Sequence, residues 1–422
     1  MLRAGALIYA IFISFLIGLS GFAIVFIAFA SRAQNEKAFE SNRLIRNARS
    51  GIELLMTSQA LILPDVPKTI DLFGNNTDSV YLEKKSWGLF DIAISKAFSK
   101  NAREEKIVLI GSATNQKDSM ALYLTDMDKR LSLSGETILK GNCYLPKAGI
   151  ERAFIEGKNF HGSQFVDGKI LKSEKSLPKI SKSLLERIQN ISEGKWLKSD
   201  SLRDISFLLA KDSLQRSFFE PTLLYTSSAP VVLDHKFLRG NMAIVSSVSI
   251  TVKASSKLTD VLLYAPKIIL EEDFTGSLQA FASDSLVAGK NCRLIYPSVL
   301  SVCRNKKSKD VIRMVLNEEA TCLGVLFAWQ DGTDAKKQVD ISVAKKAIVY
   351  GQVFSCGTID LKGSVYGSVF TNKFVLRTPS AVYENHLLDA TIDVSKLPVE
   401  YAGIVIMKDS SIVDKRIAKW LD

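Results

Sequence analysis

The chain has 422 residues, of which 47% are hydrophobic and 23% are charged, and its net charge is +11. This balance is ordinary for a folded protein and argues against a disordered chain. A net positive charge can favour binding to nucleic acid, to an anionic lipid surface or to an acidic polymer. However, the lysines are spread along the whole chain, and aromatic residues are not interleaved with them as in a site that stacks on bases. We therefore expect a solvated basic surface and no nucleic-acid partner.

The first apolar run is uncharged from Ala4 to Ala30 and is bounded by Arg3 and Arg32. A bilayer core about 30 Å thick is crossed by roughly 20 apolar residues in a helix, so this run is long enough to span it. A secretory signal has an apolar region of only about 7–15 residues. Residues 1–30 are therefore predicted to be an uncleaved transmembrane anchor whose partner is the lipid bilayer, with a cleaved signal as the alternative.

A stalk helix is predicted to continue the anchor over residues 31–62. Its apolar residues recur at helical intervals and are Phe39, Leu44, Ile45, Ile52 and Leu55 or Met56. Pro64 and Pro67 follow and end the pattern. Residues 63–120 are predicted to be a mixed α/β connector, with a short amphipathic helix over Lys84–Phe98 and a strand over 106–110.

Short strands separated by Gly, Asn, Asp and Lys begin near residue 121, return at 246–302 and are clearest at 347–377. In the last segment apolar residues alternate with glycine or polar residues. This alternation in very short strands is typical of a parallel β-solenoid, in which each coil stacks on the next. An antiparallel sandwich is the alternative, although it usually has longer strands and clear hairpin turns.

The predicted fold class is mainly β with an N-terminal long α-helix: a single transmembrane helix plus a parallel β-solenoid-like head with a helical insertion. The segments of the head are a first solenoid part at 121–180, the helical insertion at 181–218, a second solenoid part at 219–398 and a C-terminal cap at 399–422. Pro178 and the capping-box spacing of Ser183 and Glu186 mark the start of the insertion. The cap is predicted to contain a strand over Ala402–Ile406 and a basic helix ending near Trp420.

Motifs for catalysis or metal binding are missing from the sequence. It has no GxSxG, HExxH or P-loop pattern, and its three histidines are far apart without metal-type spacing (His161, His235 and His386). We therefore predict no catalytic residue, no cofactor, no metal site and no enzymatic activity.

The five cysteines have no CxxC spacing, which argues against zinc. Cys143 is a conceivable nucleophile, but an apolar strand raises the pKa of a thiol, so we expect an inert core residue. Cys292–Cys303 and Cys322–Cys356 could pair outside the cytosol.

One acidic cluster, Glu271, Glu272 and Asp273, falls within the predicted solenoid. Solenoid enzymes that cleave glycosides need clustered acids, whereas three consecutive acids at a turn are more often a solvated corner. An envelope carbohydrate-binding or carbohydrate-cleaving solenoid is therefore one alternative function.

The N-terminal residues Arg3-Ala-Gly5-Ala6-Leu-Ile, followed by a long apolar helix that becomes amphipathic, resemble type IV pilin-like proteins, especially minor subunits of the general secretion pathway protein K kind. Residues 47–54 resemble the helix segment that follows in that class. The resemblance covers about residues 1–60 and implies a processing site between Gly5 and Ala6. Ala10 stands where major pilins have a glutamate, which implies a tip or initiation position.

Residues 363–376 resemble bactofilins, which are polymer-forming cytoskeletal β-solenoids. This resemblance implies a second alternative function, a cytoplasmic membrane-tethered scaffold that polymerises through its solenoid ends. Residues 122–179 are also similar to bacterial membrane-anchored proteins, a similarity that implies no mechanism.

The membrane orientation has two opposing indications. Basic residues after the span (Arg32, Lys37, Arg43, Arg46 and Arg49) outnumber Arg3 before it, which favours a cytoplasmic head. The pilin-like resemblance implies a periplasmic head on the inner membrane, and we adopt this orientation. The predicted function is a structural or assembly one, a minor pilin-like component of a type IV pilus or secretion-type envelope machine. Its expected partners are other envelope or pilus-like subunits, and a homo-oligomer is a further expectation.

Overall fold

The computed structural model describes residues 4–57, 66–74, 77–113, 120–192, 202–304, 312–330, 339–406 and 414–421. The chain divides into two compact units, the first comprising residues 1–84 and 93–106 and the second residues 85–92 and 107–422. The predicted fold class is confirmed: the protein is mainly β, has one long apolar N-terminal helix and contains a parallel, solenoid-like sheet.

The N-terminal helix α1 (Ala4–Thr57) is continuous over 54 residues. The predicted continuity of anchor and stalk is confirmed up to Thr57, and residues 58–62 lie outside the described residues. The buried residues of its second half are Leu44, Asn47, Ala48, Gly51, Ile52 and Leu55. This spacing of three and four places them on one face of the helix. Phe39, which the sequence pattern grouped with them, is 66% exposed.

A six-stranded sheet begins with β1 (Lys68–Ile70), β2 (Ser79–Trp87), β3 (Phe90–Phe98) and β4 (Arg103–Ala113). β1 pairs antiparallel with β2. The helix predicted over Lys84–Phe98 is wrong, since these residues form the end of β2, a tight turn and β3. β3 is buried on both faces from Ile92 to Ser95, so its apolar residues run together and imitate helical spacing.

The next elements are β5 (Met120–Leu124), β6 (Leu131–Ser134), β7 (Ile138–Lys140), β8 (Asn142–Leu145), β9 (Ile150–Arg152), β10 (Ile170–Lys172), α2 (Lys182–Ser192), β11 (Leu202–Asp204), α3 (Ser206–Leu209) and β12 (Ser213–Arg216). The predicted cap of the first helix of the insertion is displaced by two residues. Ser181, rather than Ser183, accepts the hydrogen bond from Leu184 N through its hydroxyl, at 3.3 Å.

The main run of strands is β13 (Leu223–Ser227), β14 (Val231–Leu233), β15 (Phe237–Ser246), β16 (Ser249–Val252), β17 (Lys257–Leu270), β18 (Thr275–Ala288), β19 (Arg293–Cys303), β20 (Ile312–Leu316), β21 (Thr321–Trp329), β22 (Val339–Val343), β23 (Ile348–Leu361) and β24 (Ser364–Arg377). The last elements are β25 (Val382–Glu384), β26 (His386–Leu388), β27 (Thr391–Asp393), a 3₁₀ turn at Val394–Lys396, β28 (Ala402–Gly403) and β29 (Lys415–Leu421).

Parallel pairing between successive coils gives the solenoid three faces. Face A contains β12, the first residues of β15, β17, β18, β19, β21, β23 and β24, and then β27 and β7. Face B contains β11, β13, the central parts of the long strands, and then β5, β8 and β10. Face C contains β14, β16, β20, β22 and the last residues of β17, β18 and β23.

The order of the coils differs from the order of the chain. β5 pairs with β24, with Leu122 opposite Val369, and β7 pairs with β27. Strands β5 to β10 therefore stack after β24, although they precede it in sequence. The two strand-rich segments of the sequence form one continuous stack.

The solenoid is inserted between two neighbouring strands of the six-stranded sheet. β28 and β29 both pair antiparallel with β4, and Ala402 lies opposite Ala113. The basic helix predicted to end near Trp420 is wrong, because Lys415–Leu421 forms β29. The free edge of β4 offers backbone hydrogen bonds that this segment satisfies as a strand.

Alternation along β23 and β24 sorts side chains to the two sides of the wall. Val349, Val353, Val365 and Val369 point into the stack and are at most 1% exposed. The outward side chains of face B include aromatic rings that stack from coil to coil, among them the pairs Tyr264–Phe281, Phe327–Phe354 and Tyr123–Tyr144. These rings are mostly buried too, so face B is an internal surface of the second unit.

Candidate functional site: the apolar helix and the clamps on face B

The first half of α1 is an exposed apolar cylinder. The helix is long and apolar enough to cross a membrane, with a mean hydropathy of 2.6 in its most apolar window and no part of that window buried. Its large side chains from Leu7 to Phe29 are 51–72% exposed. Apolar surface of this extent needs a cover of lipid or of other helices.

The predicted processing residues Gly5 and Ala6 lie in the first turn of the described helix, and both are exposed. Gly18 and Gly21 leave open space at the helix surface. Small residues allow another helix to approach closely, which suits a helix that packs with neighbours in a membrane.

The second half of α1 is fixed to the strands of the first unit by close packing and by a buried carboxylate. A Cβ atom on Gly51 would lie 2.2 Å from Ser95 Oγ and 2.8 Å from Leu82 Cδ2, so a glycine is needed for this approach. Asp78 is 5% exposed and accepts hydrogen bonds from Arg43 at 2.9 Å and from Asn47 at 3.0 Å. The packed stripe and this polar contact hold the helix in one position on its sheet.

Two buried glutamines on face B hold other segments of the second unit. Gln279 is 3% exposed; its Nε2 donates to Trp87 O at 3.0 Å and its Oε1 accepts from Leu89 N at 2.9 Å. Gln352 is 8% exposed and makes the same pair of contacts with the backbone N–H and C=O of Ile404, at 2.8 and 3.2 Å. We call Gln279 and Gln352 the glutamine clamps.

Sequence reasoning missed the glutamine clamps, although they share a local signal. Each is the one amide side chain of its strand and stands two residues before an outward phenylalanine: Gln279 before Phe281, and Gln352 before Phe354. A polar side chain placed among apolar ones on a buried face is expected to have hydrogen-bond partners.

Ion pairs supplement the clamps in the second unit. Arg187 on α2 bonds to the Asp91 carboxylate and donates to Phe90 O at 3.1 Å. Lys419 on β29 donates to both Asp260 oxygens, at 2.8 and 2.7 Å. These contacts hold α2 against residues 90–91 and hold β29 against Asp260, which is a structural role.

The five cysteines are free thiols. The pairs Cys292–Cys303 and Cys322–Cys356, which the sequence permitted, are not joined. Cys143 is fully buried, as expected, and burial raises its pKa to about 12. A thiol with this pKa is almost entirely protonated at neutral pH and is a poor nucleophile.

The remaining sequence candidates are dispersed. His161 and His235 each contact one nearby carboxylate, Glu136 at 2.7 Å and Asp234 at 2.8 Å. His386 Nδ1 lies 2.6 Å from Glu384 O. Within the described ranges, no group of three or more histidine, cysteine, aspartate or glutamate side chains could hold a metal ion.

The acidic cluster lies at a turn after β17. Glu271 forms an ion pair with Lys253 at 2.5 Å, and Asp273 accepts a hydrogen bond from Asn291 at 3.1 Å. Glu272 is exposed. The arrangement is that of a solvated corner between faces C and A.

Comparison with known proteins gives one weak similarity. No family model matches the chain, and no curated protein matches it. Among solved structures, the competence-associated pilin ComZ from Thermus thermophilus is similar over 86% of this chain and 89% of that chain, with 11% identity and a TM-score of 0.22. A TM-score this low does not establish a shared fold.

Proposed function

We propose that this chain is a non-enzymatic, membrane-anchored structural or assembly protein, a minor pilin-like component of a type IV pilus or a secretion-type envelope machine. The observation that supports this function is the division of α1 into two halves with different surroundings. Up to Ala30 the helix is apolar and exposed, whereas from Leu44 to Leu55 the same helix packs onto strands of the first unit.

This division has a mechanical consequence. The exposed half gains stability only when lipid or neighbouring apolar helices cover it. Because α1 is continuous, a bundle of such helices also fixes the strands that are packed on its second half. Assembly is then a matter of helix packing and needs no chemical step. The resemblance of the N-terminal residues to pilin-like proteins supports the same assignment, with the head in the periplasm.

The mature N-terminus tests the pilin-like assignment directly. We expect mass spectrometry of the protein from membranes to find Ala6 as the first residue. The variant Gly5→Arg should keep its leader, because a bulky cation replaces the small residue at the cleavage position. A wild-type protein that still begins at Met1 would identify an ordinary anchor and contradict the proposal.

The orientation is tested with a thiol reporter at Ser163→Cys, which is an exposed position in the second unit. Native thiols give little background, because four are buried and the fifth, Cys356, has a pKa raised to about 11 by burial. A reagent that crosses only the outer membrane should label this variant in intact cells. Labelling only after lysis would place the head in the cytoplasm.

A polymerising scaffold is the second candidate, favoured by the parallel stack in which the bactofilin-like segment forms β24. End-to-end polymerisation needs open coil ends. At the β10 end, however, Lys169 precedes the edge strand, Lys172 is its last residue, and Phe160 stacks on Phe165 at 5.5 Å. Lysines on an edge strand disfavour pairing with another chain. Filaments formed by the purified protein would favour this candidate over the first.

The third candidate, a carbohydrate-binding or carbohydrate-cleaving protein, depends on residues 271–273. Two of the three acids already have partners: Glu271 forms an ion pair with Lys253, and Asp273 accepts a hydrogen bond from Asn291. Replacing all three by amides should leave binding of envelope polysaccharides unchanged. Loss of saccharide binding in that variant would favour the third candidate.

A further inference from the structure

An apolar stripe follows face C along the outside of the solenoid. Its members are outward side chains in register on successive coils: Val232, Thr251, Ile269, Val287, Val315 and Ser342. We call these six residues the face C stripe. Five of the six are β-branched, and none is buried; Val232 is 47% exposed and Ile269 is 42% exposed.

The stripe has the shape of a surface that packs on another sheet. In-register parallel strands are about 4.8 Å apart, so six rows span about 24 Å. β-Branched side chains have few rotamers, so they lose little conformational freedom when such a face is covered. Two sheets pack face to face at a distance of about 10 Å. Four of the six side chains are aliphatic, and an apolar patch that is open to solvent marks an interaction site.

The charges beside the stripe indicate its occupant. In the row of Ile269, Lys267 lies on one side and Glu272 on the other. In the row of Val315, Arg313 and Glu318 take the same two sides. All four charged side chains are exposed, and none has an ion pair with another residue in the part of the chain that the structure describes. In both rows the cation lies on one side of the stripe and the acid on the other. In the row of Val287 between them, Lys290 lies on the side of the acids and Ser285 on the side of the cations.

We propose that the face C stripe binds the same stripe of a second copy of this chain, related by a two-fold axis parallel to the solenoid axis. This rotation exchanges the two sides of the stripe and leaves each row at its own height. Lys267 of one copy then faces Glu272 of the other, and Arg313 faces Glu318. The apolar residues of the stripe face themselves across the axis.

The next row carries no charge pair of this kind. Asp340, on the side of the cations, has a largely buried side chain that forms an ion pair with Arg377 of its own chain at 2.9 Å. Lys345, on the side of the acids, is exposed. A shift of the two copies by one coil would instead place Arg313 opposite Lys290 or Lys345, so the charges select the pairing without a shift.

The size of the surface sets the expected strength. A face of about 24 by 20 Å buries about 500 Å² per partner, near the lower limit for a specific interface. We therefore expect weak association in dilute solution and stronger pairing where an anchor confines the chains to a membrane, because confinement raises their effective concentration. The inference does not depend on the pilin-like assignment, since it concerns face C alone.

Symmetric cross-linking tests the proposal with the full chain in liposomes. Val287→Cys should form a disulfide-linked dimer on mild oxidation, because this residue meets its own copy across the axis. Ile269→Cys should do the same and serves as a second variant if the first misfolds. The matched control is Ile295→Cys on face A, where Ile295 is 49% exposed. This control should give only the dimer expected from random collision.

Charge exchange tests the orientation of the two copies. Lys267→Glu in the Val287→Cys background should weaken association about five-fold, since the two-fold axis repeats the lost pair. Adding Glu272→Lys should restore cross-linking. The proposal is overturned if Val287→Cys and Ile269→Cys cross-link no faster than Ile295→Cys while all three thiols react with a maleimide. Cross-linking that the charge reversals leave unchanged would overturn the two-fold arrangement.

Discussion

Gln279 and Trp87 are joined by a hydrogen bond that fixes a hairpin turn to the solenoid wall. The Nε2 atom of Gln279 donates to Trp87 O at 3.0 Å, and its Oε1 atom accepts from Leu89 N at 2.9 Å. The two contacts satisfy the backbone on both sides of Gly88, while the Trp87 ring packs edge-on against Phe218 at 5.1 Å. The turn from β2 to β3 and the outer surface of β18 therefore form one buried contact in the second unit.

Replacing this glutamine should destabilise the second unit. In Gln279→Ala, the N–H of Leu89 and the C=O of Trp87 lose their partners in a buried place, and each unsatisfied group costs about 1–3 kcal/mol. We expect the free energy of unfolding to fall by about 3 kcal/mol in a denaturant titration. Gln164→Ala, at an exposed position, is the matched control and should change nothing. Equal stability of the two variants would show that the clamp contributes little.

Gly367, which lies in β24 between face A and face B, should tolerate no side chain. Gly367 has φ +153°, and a Cβ atom there would lie 1.8 Å from Gly351 O. Gly367→Ala should therefore lower the free energy of unfolding by about 3 kcal/mol or more, since clash and backbone strain add. Gly149 also has a positive φ, but nothing lies within 4 Å of its Cβ position. Gly149→Ala should cost only about 1 kcal/mol, and a similar loss in both variants would refute the role of the close approach.

The carboxylate of Asp78 should be needed to hold α1 on its sheet. Asp78→Ala leaves the guanidinium of Arg43 and the amide of Asn47 without their acceptor, which should cost about 2 kcal/mol because Arg43 remains partly in contact with solvent. Chemical unfolding in detergent measures the change. The exposed pair Arg32–Glu36 on the same helix supplies the control, and Glu36→Ala should leave stability unchanged.

The sequence was sufficient to predict an element correctly where one local pattern determines its structure. Alternation over 347–377 gave the solenoid, because each inward valine needs the same environment in every coil. The predicted helix at Lys84–Phe98 failed because a strand buried on both faces loses its alternation. β29 was assigned to a helix because its structure depends on the distant strand β4, with Ile417 opposite Ile110.

The stacking order of the coils was also beyond sequence reasoning. The contact between Leu122 and Val369 joins segments far apart in the chain, and either order of coils satisfies the same alternation. The apolar half of α1 and the inert character of Cys143 followed from local composition. The glutamine clamps could be predicted only by knowing that face B is covered, because an outward glutamine on an uncovered solenoid would be solvated.

Buried thiols should make the protein sensitive to alkaline pH. Burial raises the pKa of Cys143, Cys303 and Cys322 to about 12 each, from an ordinary value of 9.0. Between these values the folded protein keeps thiol protons that the unfolded chain releases. Stability therefore falls as pH rises from about 9 towards 12, and the thiols have no effect on its pH dependence below about pH 8.

The slope of this fall can be assigned to one thiol with Cys322→Ala. Unfolding free energies measured with a reducing agent at pH 7 to 10.5 should decline less steeply in the variant, by up to one proton, because one group no longer titrates. A lower stability of the variant at pH 7 is expected from the lost packing and does not affect the comparison of slopes. Buried tyrosines titrate in both proteins and cancel in the difference. Identical slopes would mean that the Cys322 thiol ionises at its ordinary pKa, which would be incompatible with its complete burial in the wall of the solenoid.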